Sequence, residues 1–195
     1  MKLRSILIAT CVALAPLAAQ ASLIVNGGFE SPAISGWSVF SSIPGWTTTL
    51  GPGIEIQNNA AGAPYQGTQL VELDSFGNSG MVQTVASVPG AHYQLSFAYS
   101  PRPGVGSASN GIELWIDGAL LDSFTGIGGG ATNWSVRNYS IIGDGSTAIE
   151  FRAIGTNDSL GGYLDDVRLN VPEPGTLALL GLGVAALAAS RRRKQ

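Results

Sequence analysis

From His92 to Tyr99 the chain alternates strictly: Tyr93, Leu95, Phe97 and Tyr99 share one parity, and His92, Gln94, Ser96 and Ala98 the other. Successive side chains on a strand point to opposite faces, so this period of two commits the segment to a half-buried strand. Gly111 to Asp117 repeats the pattern. Ile112, Leu114 and Ile116 claim the core side, while Glu113, Trp115 and Asp117 project from the other. Further strands are predicted at 22–25, 53–57, 69–73, 80–86, 119–125, 134–141, 147–153 and 162–169. Pro89-Gly90 and Asp117-Gly118 are turn dipeptides between strands, residues 126–130 form a glycine-rich loop, and 101–110 a longer one. No helical stripe of useful length precedes residue 171. About ten short strands joined by hairpins predict an all-β fold, a two-sheet antiparallel jelly-roll sandwich, with a closed barrel as the alternative.

Both ends of the chain differ from this pattern. Lys2 and Arg4 precede an apolar run over residues 6–19, and Ala19-Gln20-Ala21 fits a small-x-small cleavage site. The expected organisation is a signal peptide at 1–21 removed by signal peptidase, an ectodomain at 22–170, and a tail at 171–195. The single cysteine, Cys11, lies in the first segment. An exported domain without cysteine has no disulfide, thiol nucleophile or thiolate-bound zinc, and must be held by its core, helped or not by a metal. Between residues 22 and 170 there are four arginines, no lysine and twelve acids; four against twelve gives a net charge of −8. Such a surface repels phosphate backbones, so nucleic acid is excluded as a partner, whereas neutral glycans and divalent cations are compatible.

Four glutamates recur in one local setting: Ile54-Glu55-Ile56, Val71-Glu72-Leu73, Ile112-Glu113-Leu114 and Ile149-Glu150-Phe151. Alternation puts each carboxylate opposite the core side of its strand. Two readings stand: a solvated outer face, or a concave ligand surface lined by some of the four. Trp115, between Glu113 and Asp117, is a large aromatic on a polar face. Sugars pack their C–H faces on indole while nearby carboxylates accept their hydroxyls, which makes these three the candidate glycan-binding residues. Catalysis has little to stand on. His92 is the only histidine and no catalytic motif surrounds it, and paired carboxylates select nothing among twelve acids.

Composition changes abruptly at Val171-Pro172-Glu173-Pro174. The prolines end the last strand. Residues 176–190 are apolar or small, and Arg191, Arg192, Arg193 and Lys194 nearly close the chain. A helix of about 15 residues spans roughly 22 Å at ~1.5 Å per residue. It reaches across a thin bilayer if the terminal basic side chains snorkel, and the basic cluster stays on the cytoplasmic side. In its order of Pro-Glu-Pro motif, short apolar helix and arginine cluster, the tail resembles the PEP-CTERM sorting signal. The resemblance implies a Gram-negative bacterium, transient insertion in the inner membrane, processing by an exosortase, and association with extracellular polysaccharide or biofilm matrix.

Several ectodomain segments also resemble a family. They include Asn26-Gly27-Gly28-Phe29-Glu30, Ile43-Pro44-Gly45-Trp46, Val71-Glu72-Leu73-Asp74 and Phe97-Ala98-Tyr99-Ser100-Pro101-Arg102-Pro103-Gly104. In this order they are similar to a galactose-binding-like domain found in plant cell-wall and bacterial secreted proteins. That resemblance implies a jelly roll, polysaccharide binding and no assigned catalysis. It also implies a structural Ca2+ between adjacent first and last strands, with Glu30, Asp165 and Asp166 as charged ligands; the plainer reading is that these acids cap turns or pair with Arg168. The expected function is a non-catalytic envelope or matrix protein that binds or organises exopolysaccharide. A structural or adhesive surface protein, and a glycan-processing enzyme, are the alternatives.

Overall fold

In the computed structural model Tyr93, Leu95, Phe97 and Tyr99 are all buried, while His92 and Gln94 are open to solvent, as alternation requires. The structure describes residues 22–171 and, of the tail, Gly183 alone. The expected signal peptide, the Pro172-Glu173-Pro174 segment, the apolar helix and the basic cluster Arg191 to Lys194 lie outside the described residues.

Among the described residues there are twelve strands. They are β1 (Gly36–Phe40), β2 (Ser42–Ile43), β3 (Trp46–Leu50), β4 (Ile54–Asn58), β5 (Leu70–Glu72), β6 (Gly80–Ala86), β7 (His92–Ser100), β8 (Gly111–Ile116), β9 (Ala119–Phe124), β10 (Ser135–Ile142), β11 (Ser146–Ile154) and β12 (Tyr163–Asn170). They form two six-stranded sheets, ordered β1-β4-β5-β12-β7-β10 and β2-β3-β6-β11-β8-β9. Neighbouring strands pair antiparallel, and the whole is an all-β jelly roll. The core between the sheets takes Ile54 and Ile56 from β4, Leu95 and Phe97 from β7, Ile112 and Leu114 from β8, and Ile149 and Phe151 from β11. Trp46 is buried among them, with its ring 5.8 Å from Phe29 and 6.1 Å from Phe151.

Two departures from the sequence reading have physical causes. Residues 22–25 are not a strand. They make isolated bonds to the end of β12: the Leu23 N–H donates to the Leu169 carbonyl at 2.8 Å, and the Leu169 N–H to Ser22 Oγ at 2.9 Å. Strands β1, β2 and β3 fall outside the segments that the sequence pattern marks as strands. On β1, an edge strand, Trp37 and Val39 face outward, so the largest apolar residue of that strand does not mark its core side.

β12 is interrupted by a bulge between Asp165 and Arg168. Leu164 and Val167 are of opposite parity, yet both belong to the core. The extra residue, Asp166 at φ 51°, restores Val167 and Leu169 to the inner face and leaves Tyr163 and Asp165 on the outer one.

Candidate functional site

Register builds one row of side chains across the outer face of the first sheet. Val39 of β1 opposes Glu55 of β4, Glu55 opposes Glu72 of β5, Glu72 opposes Tyr163 of β12, and Tyr163 opposes Ser100 of β7. One step along, Trp37 opposes Gln57, and Gln57 opposes Leu70. This face is not solvated. Glu72, Tyr163 and Ser100 are fully buried, and Glu55 and Gln57 nearly so. On the other sheet Glu150 is also buried and Glu113 half-buried, so the solvated-face reading of the four glutamates fails.

The cover is made of loops. Residues 59–69 cross the face as a strap whose amides are held by carboxylates. Asp165 Oδ2 accepts from Tyr65 N at 2.8 Å and Gln66 N at 2.9 Å, and Glu30 Oε1 accepts from Thr68 N at 2.7 Å and Gln69 N at 3.0 Å. Gly67, at φ 67°, lies against the Glu30 carboxylate where any Cβ would collide with it. The far end of the strap rests on Thr132 and Trp134, which both donate to the Ala63 carbonyl at 3.1 Å.

From the β7–β8 loop comes Arg102. Buried Asn110 organises that loop: its Oδ1 accepts from Arg102 N at 2.9 Å, and its Nδ2 donates to the carbonyls of Val105, Gly106 and Gly126. Arg102 Nη1 donates to both carboxylate oxygens of Glu72 at 2.6 Å, and Gly161 N donates to Glu72 Oε1 at 2.6 Å. Gln57 Nε2 donates to Glu55 Oε1 at 2.8 Å and also to Glu72 Oε2. Burial pushes the Glu72 carboxyl up to about 8, against the pull of Arg102 and the Gly161 amide, with Glu55 adding to the rise. Burial likewise raises Glu55 and Asp74.

This network floors an open cleft of about 440 Å³. Its aromatic wall is Trp37 and Phe76, with ring centroids 5.9 Å apart at an interplanar angle of 68°. Both rings are exposed, Trp37 by 52% and Phe76 by 67%. The polar floor is Glu55, Gln57, Ser75 and Arg102, and Ala60, Ala61 and Ser159 form the rim. Gln57 Oε1 and Ser75 Oγ are buried without a hydrogen-bond partner.

The candidates from sequence lie elsewhere. Trp115 does project from the outer face of the second sheet, but its ring carries the Arg152 guanidinium at 4.2 Å, and its Nε1–H donates to Glu113 Oε2 at 2.8 Å. Arg152 is held in turn by Glu150 at 2.8 Å. Asp117 sits in the β8–β9 turn at φ 51° and accepts from Ala148 N at 2.6 Å. The structure therefore gives all three an intramolecular partner. Their strand pattern exposed them to sequence reading, whereas Trp37 and Arg102 needed the sheet order to be found.

Glu30, Asp165 and Asp166 do not fit a calcium site. Beyond the strap bonds, Glu30 Oε2 accepts from Thr68 Oγ1 at 2.7 Å, Asp165 Oδ1 from Asp166 N at 2.6 Å, and Asp166 Oδ1 from Arg168 Nε at 2.8 Å. N–H and O–H donors occupy the oxygens that a cation would need. Among the described residues no group of three or more His, Cys, Asp or Glu could hold a metal. The plainer alternative describes what these acids do here: they tie down the strap and pair with Arg168.

Comparison with known proteins accords with this architecture. Residues 170–194 match the family model described as the PEP-CTERM protein-sorting motif. The chain carries a PEP-CTERM motif. The PEP-CTERM motif marks it for secretion and envelope-associated sorting. The multifunctional-autoprocessing repeats-in-toxin of Vibrio cholerae is 31% identical over 154 residues, which is 75% of this chain but only 3% of the toxin. Among solved structures, the K1 cleaved adhesin domain of Lys-gingipain from Porphyromonas gingivalis has a TM-score of 0.52 at 18% identity, covering 70% of this chain and 98% of that one. A family 61 carbohydrate-binding module in complex with β-1,4-galactotriose has a TM-score of 0.49 at 20% identity, covering 78% and 99%. The likeness to the adhesin domain agrees with the two-sheet jelly roll described above.

Proposed function

We propose that this protein is a non-catalytic glycan-binding component of the envelope or extracellular matrix, delivered by exosortase processing of its PEP-CTERM tail and engaging extracellular polysaccharide through the Trp37 cleft. The observation that carries the reading is the exposed Trp37–Phe76 wall standing over a buried polar floor. An exposed indole presents an apolar face to the axial C–H groups of a pyranose, and polar groups beside it fix the sugar's orientation. The floor is held by the Glu72–Arg102 pair and by Gln57, so the site is formed before ligand arrives.

Affinity electrophoresis of the secreted protein in gels containing the polysaccharide of its own producing cells tests this. Trp37→Ala should abolish retardation while leaving circular dichroism and the thermal transition intact. Unchanged retardation in Trp37→Ala would remove the cleft from consideration, and sugar release from the same polysaccharide would contradict a non-catalytic role.

A further inference from the structure

We infer that the cleft is built for a neutral, hydroxyl-rich sugar that donates hydrogen bonds to it, and that it rejects uronic acids and other anionic glycans. This rests on the cleft being a glycan site at all, and goes further by assigning the ligand's charge and hydrogen-bonding sense.

The argument starts from the orientation of one amide. Gln57 lies between two carboxylates that stand opposite each other on adjacent strands, Glu55 and Glu72. When Glu55 and Glu72 are ionised their oxygens only accept, so the amide turns its NH2 toward them, and Nε2 does bond both. The amide carbonyl is therefore left over. Gln57 is 2% exposed and its Oε1 has no partner. Ser75, 5% exposed and beside Phe76, is likewise left with an unpartnered Oγ. An unpartnered buried polar atom carries a desolvation cost, and a ligand group of the right sense removes it. A hydroxyl donated to Gln57 Oε1, and one exchanged with Ser75 Oγ, do so. An incoming carboxylate cannot: it has no proton to give to Oε1.

Charge points the same way. Among the described residues the one cation lining the cleft is Arg102, and Glu72 takes its Nη1 in a 2.6 Å ion pair. Glu55 lies on the floor, and Asp74 is buried next to Ser75. Above pH 8, where Glu72 is ionised, a uronate would enter a site where carboxylates outnumber the single guanidinium, whose Nη1 is already paired. Like charges brought together in a partly desolvated cleft repel strongly.

The experiment uses the secreted protein in three gels run above pH 8, where Glu72 is ionised, at equal polysaccharide concentration: a neutral galactan, a neutral glucan and a polygalacturonate. Retardation by at least one neutral polymer and none by polygalacturonate is expected. Ser75→Ala is the companion variant. Its hydroxyl has no partner within the protein, so the thermal transition should be unchanged or slightly raised. Binding of the neutral polymer should weaken roughly fivefold, the worth of one ordinary hydrogen bond. Retardation by polygalacturonate equal to or greater than that by the neutral polymers, abolished by Trp37→Ala, would overturn the neutral selectivity while leaving the cleft as a glycan site. Unaltered affinity in Ser75→Ala would also overturn it. If no polymer is retarded, or if retardation ignores Trp37→Ala, the glycan reading itself fails and this inference with it.

Discussion

Glu55 and Glu72 occupy directly opposed positions on β4 and β5, and a single amide group, Nε2 of Gln57, hydrogen-bonds to both. Two acids facing each other on a sheet repel unless something separates or neutralises them. Here the amide bridges the pair, and the Arg102 guanidinium neutralises Glu72 from the side. The arrangement ties the stability of the domain to the protonation of its binding floor.

The pH dependence of stability follows in sign. Burial raises Glu72 from 4.5 to about 8 and Asp165 from 3.8 to about 7. Above the ordinary value, the unfolded chain has released a proton that the folded protein still holds. Stability therefore falls as pH rises through these windows, with a slope of at most about 1.4 kcal/mol per pH unit for each proton. Glu30 and Glu150 are held below the ordinary carboxylate value by hydrogen bonds from Thr68, Gln69, Arg152 and Thr49, which outweigh their burial; they reverse the slope in acid. Thermal unfolding across this range should show a maximum on the acid side of neutrality. Glu72→Gln should flatten the decline toward pH 8, and an unaltered slope in that variant would assign the decline to another group.

Arg102→Met should be among the most damaging single changes in the domain. It leaves Glu72, fully buried, without its cation. Breaking a buried pair in this way costs about 3–5 kcal/mol. Denaturant titration at pH 8 should show that loss. The loss should shrink at pH 5, where Glu72 holds its proton with or without Arg102 and no buried charge is left unpaired.

Chelation should leave the melting temperature unchanged. A bound Ca2+ at one hundred times its dissociation constant would add about 2.7 kcal/mol, a shift readily seen by calorimetry. Glu30 and Asp165 instead spend their oxygens on strap amides. A drop in melting temperature with excess chelator, reversed by calcium, would show that these carboxylates exchange amide donors for a cation.

The strands that sequence made legible are those whose two faces differ. β6 is found at the predicted residues 80–86, and β7, β8 and β11 fall within a residue of their predicted ends, because each has one face in the core and one outside it. β1 was hidden since its largest residue, Trp37, faces outward, and with it went the cleft's aromatic wall. The buried state of Glu55 and Glu72 was hidden for a different reason. It depends on β4, β5, β12 and β7 lying side by side and on the 59–69 strap crossing them, and these neighbours are far apart in sequence. Alternation tells which face a carboxylate takes and says nothing of what covers that face. Trp115 illustrates the converse: its outward direction was readable, but the Arg152 stacked on it comes from the adjacent strand β11.

The two tryptophans offer the most direct contrast between the sequence reading and the structural one. Trp115 and Trp37 both face outward, on different sheets. Trp115 has a guanidinium at 4.2 Å over its ring and its N–H bonded to Glu113, so a sugar would have to displace Arg152 from both Trp115 and Glu150. That displacement sacrifices a cation–π contact worth about 0.5–1 kcal/mol at an exposed site, as well as an ion pair. Trp37 makes a T-shaped pair with Phe76 and stands 52% exposed above a formed floor. Trp115→Ala should therefore lower stability modestly and leave polysaccharide retardation at the wild-type level, whereas Trp37→Ala should do the reverse. Measuring both variants in the same gels, with thermal unfolding alongside, separates the two faces. Loss of retardation in Trp115→Ala with an intact fold would move the binding surface to the second sheet, with Arg152 as a side chain that yields to ligand.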